Sequence, residues 1–567
     1  MKTKFFILIL ISITPIYTME KERIDFNAND HLPKKRRNTS YQRQNTHPNL
    51  SLQQEAELET NRIKLADAIE YSNLAAIKKI INNNPTIITS SFNSEDNDSL
   101  LHIAAQKKCS TETLQLLLKL VDQTENKNEI LQSTNSAGRT PLIEAIMHNN
   151  LIACRHFVEH NASYLEACTQ DDKTCLHLAV LKENELLVAE ILKWAEKKST
   201  LTLKKILSSI DYAGRTPLSL AASQDNVDIL LKVADENTIN LEDKKGCTPL
   251  YWATYRQKPI NVKKIVERGA KNSPNNDGDY PLHVACTINT SKAYQCLKIL
   301  RKFSGTTELR NSQKQTALMV AAKNLNKKAF KYLKRKRANL FAQAQHGETI
   351  LHLLAATPHA QDFIAYYLKK KKVAANNMLE TPDAQGRTPL FYALENFDNF
   401  KFLVENYGAN ITAIDFKLNS LLHVACSKKN YSQEVIAYIL KHAAALIDWT
   451  NNNSETALII STQLGHTTCM ELLLKHGANI KKTDSTGWTP YQWAATNEGP
   501  ESLQILNNTN QMSSEEAKSA LEVAKKSNNQ AAIFYLKSFE KSSTSEQKSE
   551  QTSASSDEPQ TSSSLTY

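Results

Sequence analysis

Tyr280-Pro281-Leu282-His283-Val284-Ala285 decides the reading of this chain, because it keeps returning. Thr140-Pro141-Leu142, Thr174-Cys175-Leu176-His177-Leu178-Ala179, Thr216-Pro217-Leu218-Ser219-Leu220-Ala221-Ala222 and Thr248-Pro249-Leu250 are versions of the same phrase. Its twelve copies start at Ser99, Thr140, Thr174, Thr216, Thr248, Tyr280, Thr316, Thr349, Thr388, Ser420, Thr456 and Thr489. Successive steps are 41, 34, 42, 32, 32, 36, 33, 39, 32, 36 and 33 residues. The commonest step lies near about 33 residues, and the longer ones read as insertions in connecting loops. A single copy would carry no weight. The period carries it: the chain reads as a stack of similar units, each burying an apolar face against its neighbours.

Each position in the phrase has a physical task. The first hydroxyl accepts from free N–H groups at a helix start, and proline fits the first helical turn, where no donor is needed. Leucine is expected to face the next unit. Small residues such as Ala104, Ala105, Ala321 and Ala322 let helices approach closely. His102, His177, His283, His352 and His423 recur at the fourth position, so they read as helix-start hydrogen-bonding groups and not as catalysts or ligands. A second apolar helix follows, clearest in Met470–Asn479. Gly269, Gly408 and Gly477 fall where a left-handed helix end is wanted. Asn161 is expected to replace that glycine, and Arg337 to give a strained or altered end. Gly138, Gly214, Gly246, Gly278, Gly347, Gly386 and Gly487 stand two residues before the hydroxyl and mark a turn. The copies at Ser99, Thr174, Thr316, Ser420 and Thr456 lack it and are expected to be degenerate there.

Phrase and period together make the chain resemble the ankyrin-repeat family over roughly residues 59–538. The resemblance implies an all-α fold: an ankyrin-repeat α-solenoid of stacked helix pairs with short hairpin-like loops, of about 12–14 units. Asn61–Asn83 and Ser519–Phe539, apolar at helical spacing but without the phrase, are expected to be its atypical caps. The resemblance also implies protein binding through loop tips and the first helix of each unit. By position that gives Arg139, Arg215, Cys247, Asp279, Glu348, Arg387 and Trp488, with Tyr212, Lys244, Lys245, Tyr255 and Arg256 beside them. Arginine and aromatic residues are the usual anchors of interfaces. The units from Thr140 to Thr248 collect most of them, and an acidic partner surface is expected there. Trp488 reads either as an anchor or as cover for its loop. No cofactor, metal, nucleic acid or membrane span is expected, and the protein is expected to be a monomer.

Composition agrees with a binding role. The chain has 567 residues and a net charge of +10, a modest excess that weakly favours acidic partners. No P-loop, dinucleotide GxGxxG, HExxH or GxSxG motif occurs, and the flanks of the repeats are too short for a catalytic domain, so no enzyme activity is expected. The nine cysteines form no CxxC pair; Cys286 and Cys426 stand in for small motif residues and read as core thiols.

The ends carry the targeting expectations. Lys2 and Lys4 followed by apolar Phe5–Ile13 resemble a secretory signal over residues 1–18. Residues 19–58 read as a disordered basic linker and residues 539–567 as a disordered Ser/Thr-rich tail. Within the linker, Lys34, Lys35, Arg36 and Arg37 resemble a nuclear-localisation cluster, though a solvated patch is the plainer reading. Lys334–Arg337 and Lys369–Lys372 follow apolar segments and read as solvated helix ends. Lys, Asn and Ile are plentiful, as an AT-rich genome would give, and the chain is expected to be bacterial-type and exported. The expected function is an exported interaction scaffold. The alternatives are a host-directed effector, even a nuclear one, and a periplasmic or surface interaction protein.

Overall fold

Every one of the twelve hydroxyl positions starts a short helix, from Leu100–Gln106 after Ser99 to Pro490–Ala494 after Thr489. This computed structural model describes residues 52–89, 97–107, 109–225, 227–368, 377–428, 433–509 and 512–539. The repeats lie in one compact unit, Arg62–Tyr567, while a second, Met1–Asn61, holds the first turns of helix Leu52–Glu70. That helix begins inside the segment expected to be linker. The signal, the Lys34–Arg37 cluster and the tail beyond residue 539 lie outside the described residues.

The first helices are set by their caps. Thr216 Oγ1 accepts from the Ser219 N–H at 3.1 Å and Thr248 Oγ1 from the Tyr251 N–H at 3.3 Å. Pro217 and Pro249 occupy the first turn. Leu218, Ala221, Ala222, Leu250 and Ala253 are buried, and successive first helices, such as Pro217–Ser223 and Pro249–Tyr255, pack side by side through these small and branched residues. Second helices such as Pro259–Glu267 and Ser291–Ser304 form a parallel row behind them. The expected all-α solenoid is the fold: among the described residues, extended pairing is limited to isolated bridges such as Arg310 with Thr316.

Two polar devices join the units. An asparagine at or near the start of a second helix donates back to the end of the preceding unit's first helix. Asn326 Nδ2 reaches the carbonyls of Cys286 at 3.1 Å and Ile288 at 2.9 Å; Asn150, Asn261 and Asn399 repeat the contact. These bonds satisfy carbonyls that a helix end leaves without partners. At the opposite edge, from the Thr216 unit onward, each turn donates to the one before: Tyr212 N–H to Asp171 O, Lys244 N–H to Ala213 O, Asn276 N–H to Lys245 O, and so on to Ser485 N–H with Asn453 O.

Three expectations are corrected. The two longest steps do not add loop; they add helices, Lys127–Gln132 and Thr200–Ser208. The second is capped by Ser199 and buries Ile206 and Leu207 where it packs on the helices Glu185–Lys198 and Pro217–Ser223. The turns lacking glycine are not degenerate: Asn97, Asp172, Lys314, Leu418 and Ser454 take the same left-handed conformation, with φ of 53–58°. Asn161 does not end its helix left-handed but is extended at φ −146°, because the chain passes at once into the 3-10 turn Ala162–Glu166. Arg337, by contrast, adopts φ 63° where Gly408 and Gly477 have 69° and 87°. The caps bury Leu65, Ile69, Ile77 and Ile81 at one end and Ala524, Ala532 and Leu536 at the other.

Candidate partner-binding surface

A residue that the sequence reading passed over builds the turns. In most units an Asp or Asn stands three positions before the left-handed turn residue, and its side chain accepts two backbone N–H groups. Asp211 Oδ1 takes those of Ala213 and Arg215 at 3.0 and 2.9 Å, and Asp243 Oδ1 those of Lys245 and Cys247 at 2.9 and 2.8 Å. Asn135, Asn275, Asp383, Asp415, Asn451 and Asp484 do the same. The signal was present as an Asx residue at fixed offset from glycine, a known turn-former.

The free oxygen of these carboxylates then decides which neighbours are available to a partner. Asp211 Oδ2 accepts from both Nε and Nη2 of Arg215, at 2.9 and 2.8 Å, and leaves that side chain only 17% exposed. Arg387 lies 3.7 Å from Asp415, and Arg139 lies 3.5 Å from the buried Glu144. These arginines therefore hold the turns rather than project from them. Trp252 and Trp493 donate their indole N–H to Asp243 and Asp484 at 3.0 and 2.8 Å. Trp488 is half-buried with its ring 4.8 Å from Trp493, so it covers its own loop. Cys247 is buried, and burial pushes its thiol up to about 12. Tyr255 packs edge-on against Trp252 at 5.8 Å, with Arg256 stacked beside it, and both are half-buried. Of the expected contact residues, Tyr212, Lys244 and Lys245 stand exposed at adjacent turn tips. Tyr212 is 70% exposed, and the Lys244 ammonium sits 4.5 Å from its ring centre.

The motif histidines do more than start their own helices. The Thr174 N–H donates to His177 Nδ1 at 3.2 Å, which fixes the proton on Nε2. That Nε2–H donates to the Arg215 carbonyl of the following unit at 3.0 Å. His102, His283, His352 and His423 make the equivalent bridges to Arg139, Gln315, Arg387 and Glu455. Burial lowers all five below the ordinary value of 6.5, His177 to about 4. They are neutral linkers between units. Among the described residues, no group of three or more His, Cys, Asp or Glu side chains is placed to hold a metal ion. No helix of those residues is long and apolar enough to cross a membrane.

Stacked helix pairs joined by a ladder of turns, with variable residues at the tips, define a repeat protein of the interaction-scaffold class. The chain belongs to the ankyrin-repeat family. A family model of three ankyrin repeats matches residues 65–165, 101–201, 176–273, 257–344, 336–415 and 422–514. Similar curated proteins include human transient receptor potential cation channel subfamily A member 1, 30% identical over 24% of this chain and 12% of its own length. Dog inversin is 26% identical over 31% and 16%, and the palmitoyltransferase AKR1 of Lachancea kluyveri 27% over 40% and 30%. The chain thus spans less than a third of each of these relatives. Among solved structures, the ankyrin-repeat domain of Bcl-3 aligns over 42% of this chain and all of its own, at 26% identity and a TM-score of 0.36.

Proposed function

We propose that the repeats from Thr140 to Thr248 bind an acidic segment of a partner protein across their turn tips. The observation behind this reading is the pair formed by Tyr212 and Lys244, an exposed ring with an ammonium on its face and Lys245 next to it. Such a pair offers apolar area and charge together, as interface anchors do. Arg139, Arg215 and Arg387 leave the contact set because carboxylates of this chain hold them. The test is affinity capture with the full chain, followed by titration of the captured partner. Tyr212→Ala and the double change Lys244→Glu, Lys245→Glu should each weaken binding at least about tenfold. Unchanged affinity in both would discard this surface.

We further propose that the chain acts by binding and not by catalysis, and that it is an exported, bacterial-type protein. Lys2, Lys4 and the apolar Phe5–Ile13 support export, and Lys34–Arg37 support a nuclear destination in a host as the finer alternative. Fractionation of cells producing tagged protein separates these readings. Full-length material confined to the producer's cytosol removes export, and unchanged nuclear accumulation after alanine replacement of Lys34–Arg37 removes the nuclear signal.

A further inference from the structure

The positive charge of this chain is concentrated away from the turn tips. Between Ser291 and Ala338 stand fourteen Lys and Arg residues and one acid, Glu308, whereas the whole chain has an excess of only +10. Ten of the fourteen are lysines. The structure collects several of them on the neighbouring second helices Ser291–Ser304 and Lys327–Arg335; the next second helix, Gln361–Leu368, carries none of them and supplies aromatic rings and one acid, Asp362. Aromatic contacts weld the three together: Tyr294 meets Tyr332 edge-on at 5.7 Å, and Phe330 meets Phe363 at 5.0 Å and Tyr366 at 6.3 Å. Lysines then cover the rings. Lys298 lies 4.7 Å from Tyr294 and Lys336 5.8 Å from Tyr332, while Lys327, Lys331 and Lys334 lie 5.6, 5.2 and 5.5 Å from Tyr366. In the preceding unit the corresponding lysines are neutralised, Lys258 by Asp225 and Lys264 by Asp228. Among the described residues, no ion pair links Lys298, Lys327, Lys328 or Lys331 to a carboxylate.

We propose that this face of the second helices docks on the surface of a membrane containing anionic lipids. Three features select that occupant over other polyanions. Lysine is a compact, strongly hydrated charge suited to a diffuse negative field, whereas arginine is the residue for paired contacts to carboxylate or phosphate. The tyrosine faces are already occupied by ammonium groups, which leaves no stacking platform for nucleic-acid bases. Three residues past the same basic run, Phe341 is 61% exposed, an apolar group of the kind that enters a headgroup layer. The surface is separate from the Tyr212–Lys244 tips and does not depend on the partner reading.

Vesicle flotation of the full chain tests this. Vesicles of phosphatidylcholine with phosphatidylserine should retain the protein, those of phosphatidylcholine alone should not, and added salt should release it. Replacing Lys298, Lys327, Lys328 and Lys331 by Ala should lower partitioning at least about tenfold. The same four changed to Arg should retain it. A charge-matched control, Lys518, Lys525, Lys526 and Lys537 changed to Ala, should stay near wild type. Should the Ala variant lose helical circular dichroism, the exposed single changes Lys298→Glu and Lys328→Glu carry the test, with a loss of at least about threefold each. The proposal fails if anionic vesicles do not bind, if the helix-face variants bind like wild type, or if the control loses as much. It also fails if only poly-glutamate or single-stranded RNA is bound, which would place an acidic protein or a nucleic acid on this face.

Discussion

In the unit that starts at Thr489, Gln492 takes the place that histidine holds in five others. Its Oε1 accepts from the Thr489 N–H at 2.6 Å, and its Nε2 donates onward to Ser519 at 2.8 Å. The chain thus contains both a titratable and a non-titratable version of one linker. Below its ordinary value of 6.5, an unfolded His177 takes up a proton that the folded residue refuses until about 4. Acid therefore favours unfolding through that window, by on the order of 3 kcal/mol for this one residue, and the other four histidines act in the same direction. Urea midpoints measured from about pH 7.5 to about pH 4.5 should fall, and His177→Gln should flatten the curve while costing under about 1 kcal/mol at neutral pH. The turn position offers a second test. Gly246 has φ 73°, and an added Cβ would lie 2.5 Å from Asn276 Oδ1 and 2.8 Å from its N. Gly246→Ala should destabilise by more than about 1 kcal/mol. Lys314, exposed and held at φ 55°, should gain roughly 0.5–1 kcal/mol on change to Gly. Thermal denaturation of the two variants should therefore shift in opposite directions.

At the scale of an element, several second helices are anchored to the unit before by one polar side chain. Asn326 caps its own helix by accepting from the Ala329 N–H at 3.1 Å while bonding two carbonyls of the unit before. Asn326→Ala removes a cap and leaves buried carbonyls without donors, so a loss of about 2 kcal/mol or more is expected in chemical denaturation. The sequence showed where these helices begin and end in most units, because caps and glycines act within a few residues. It did not show that the inserts before Thr140 and Thr216 would be helical. Their helices are short, and their stability comes from burying residues such as Ile206 and Leu207 against neighbouring units, a long-range effect.

At the scale of the molecule, each unit meets mainly its neighbours, so damage should stay local. Hydrogen exchange of Asn326→Ala should quicken across residues 281–335 and remain unchanged across residues 141–207. Uniform quickening would show that the array unfolds as one cooperative body. The same near-neighbour logic keeps the two proposed surfaces independent. Changes at Tyr212 and Lys244 should leave vesicle binding intact, and changes on the Lys327–Arg335 helix should leave partner affinity intact.

The sequence by itself determined the family, the helix starts, the turn positions and the burial of the motif residues. All of these rest on contacts within a few residues or on a repeated period. Which side chains face outward was settled only by tertiary structure. Arg387 looks like a free anchor in the sequence, yet Asp415 of the next unit lies 3.7 Å from it. Lys334 looks like part of a solvated helix end, yet the next unit brings Tyr366 to it and to Lys327 and Lys331. A side chain's availability depends on partners brought in by packing, and no local pattern of residues encodes that.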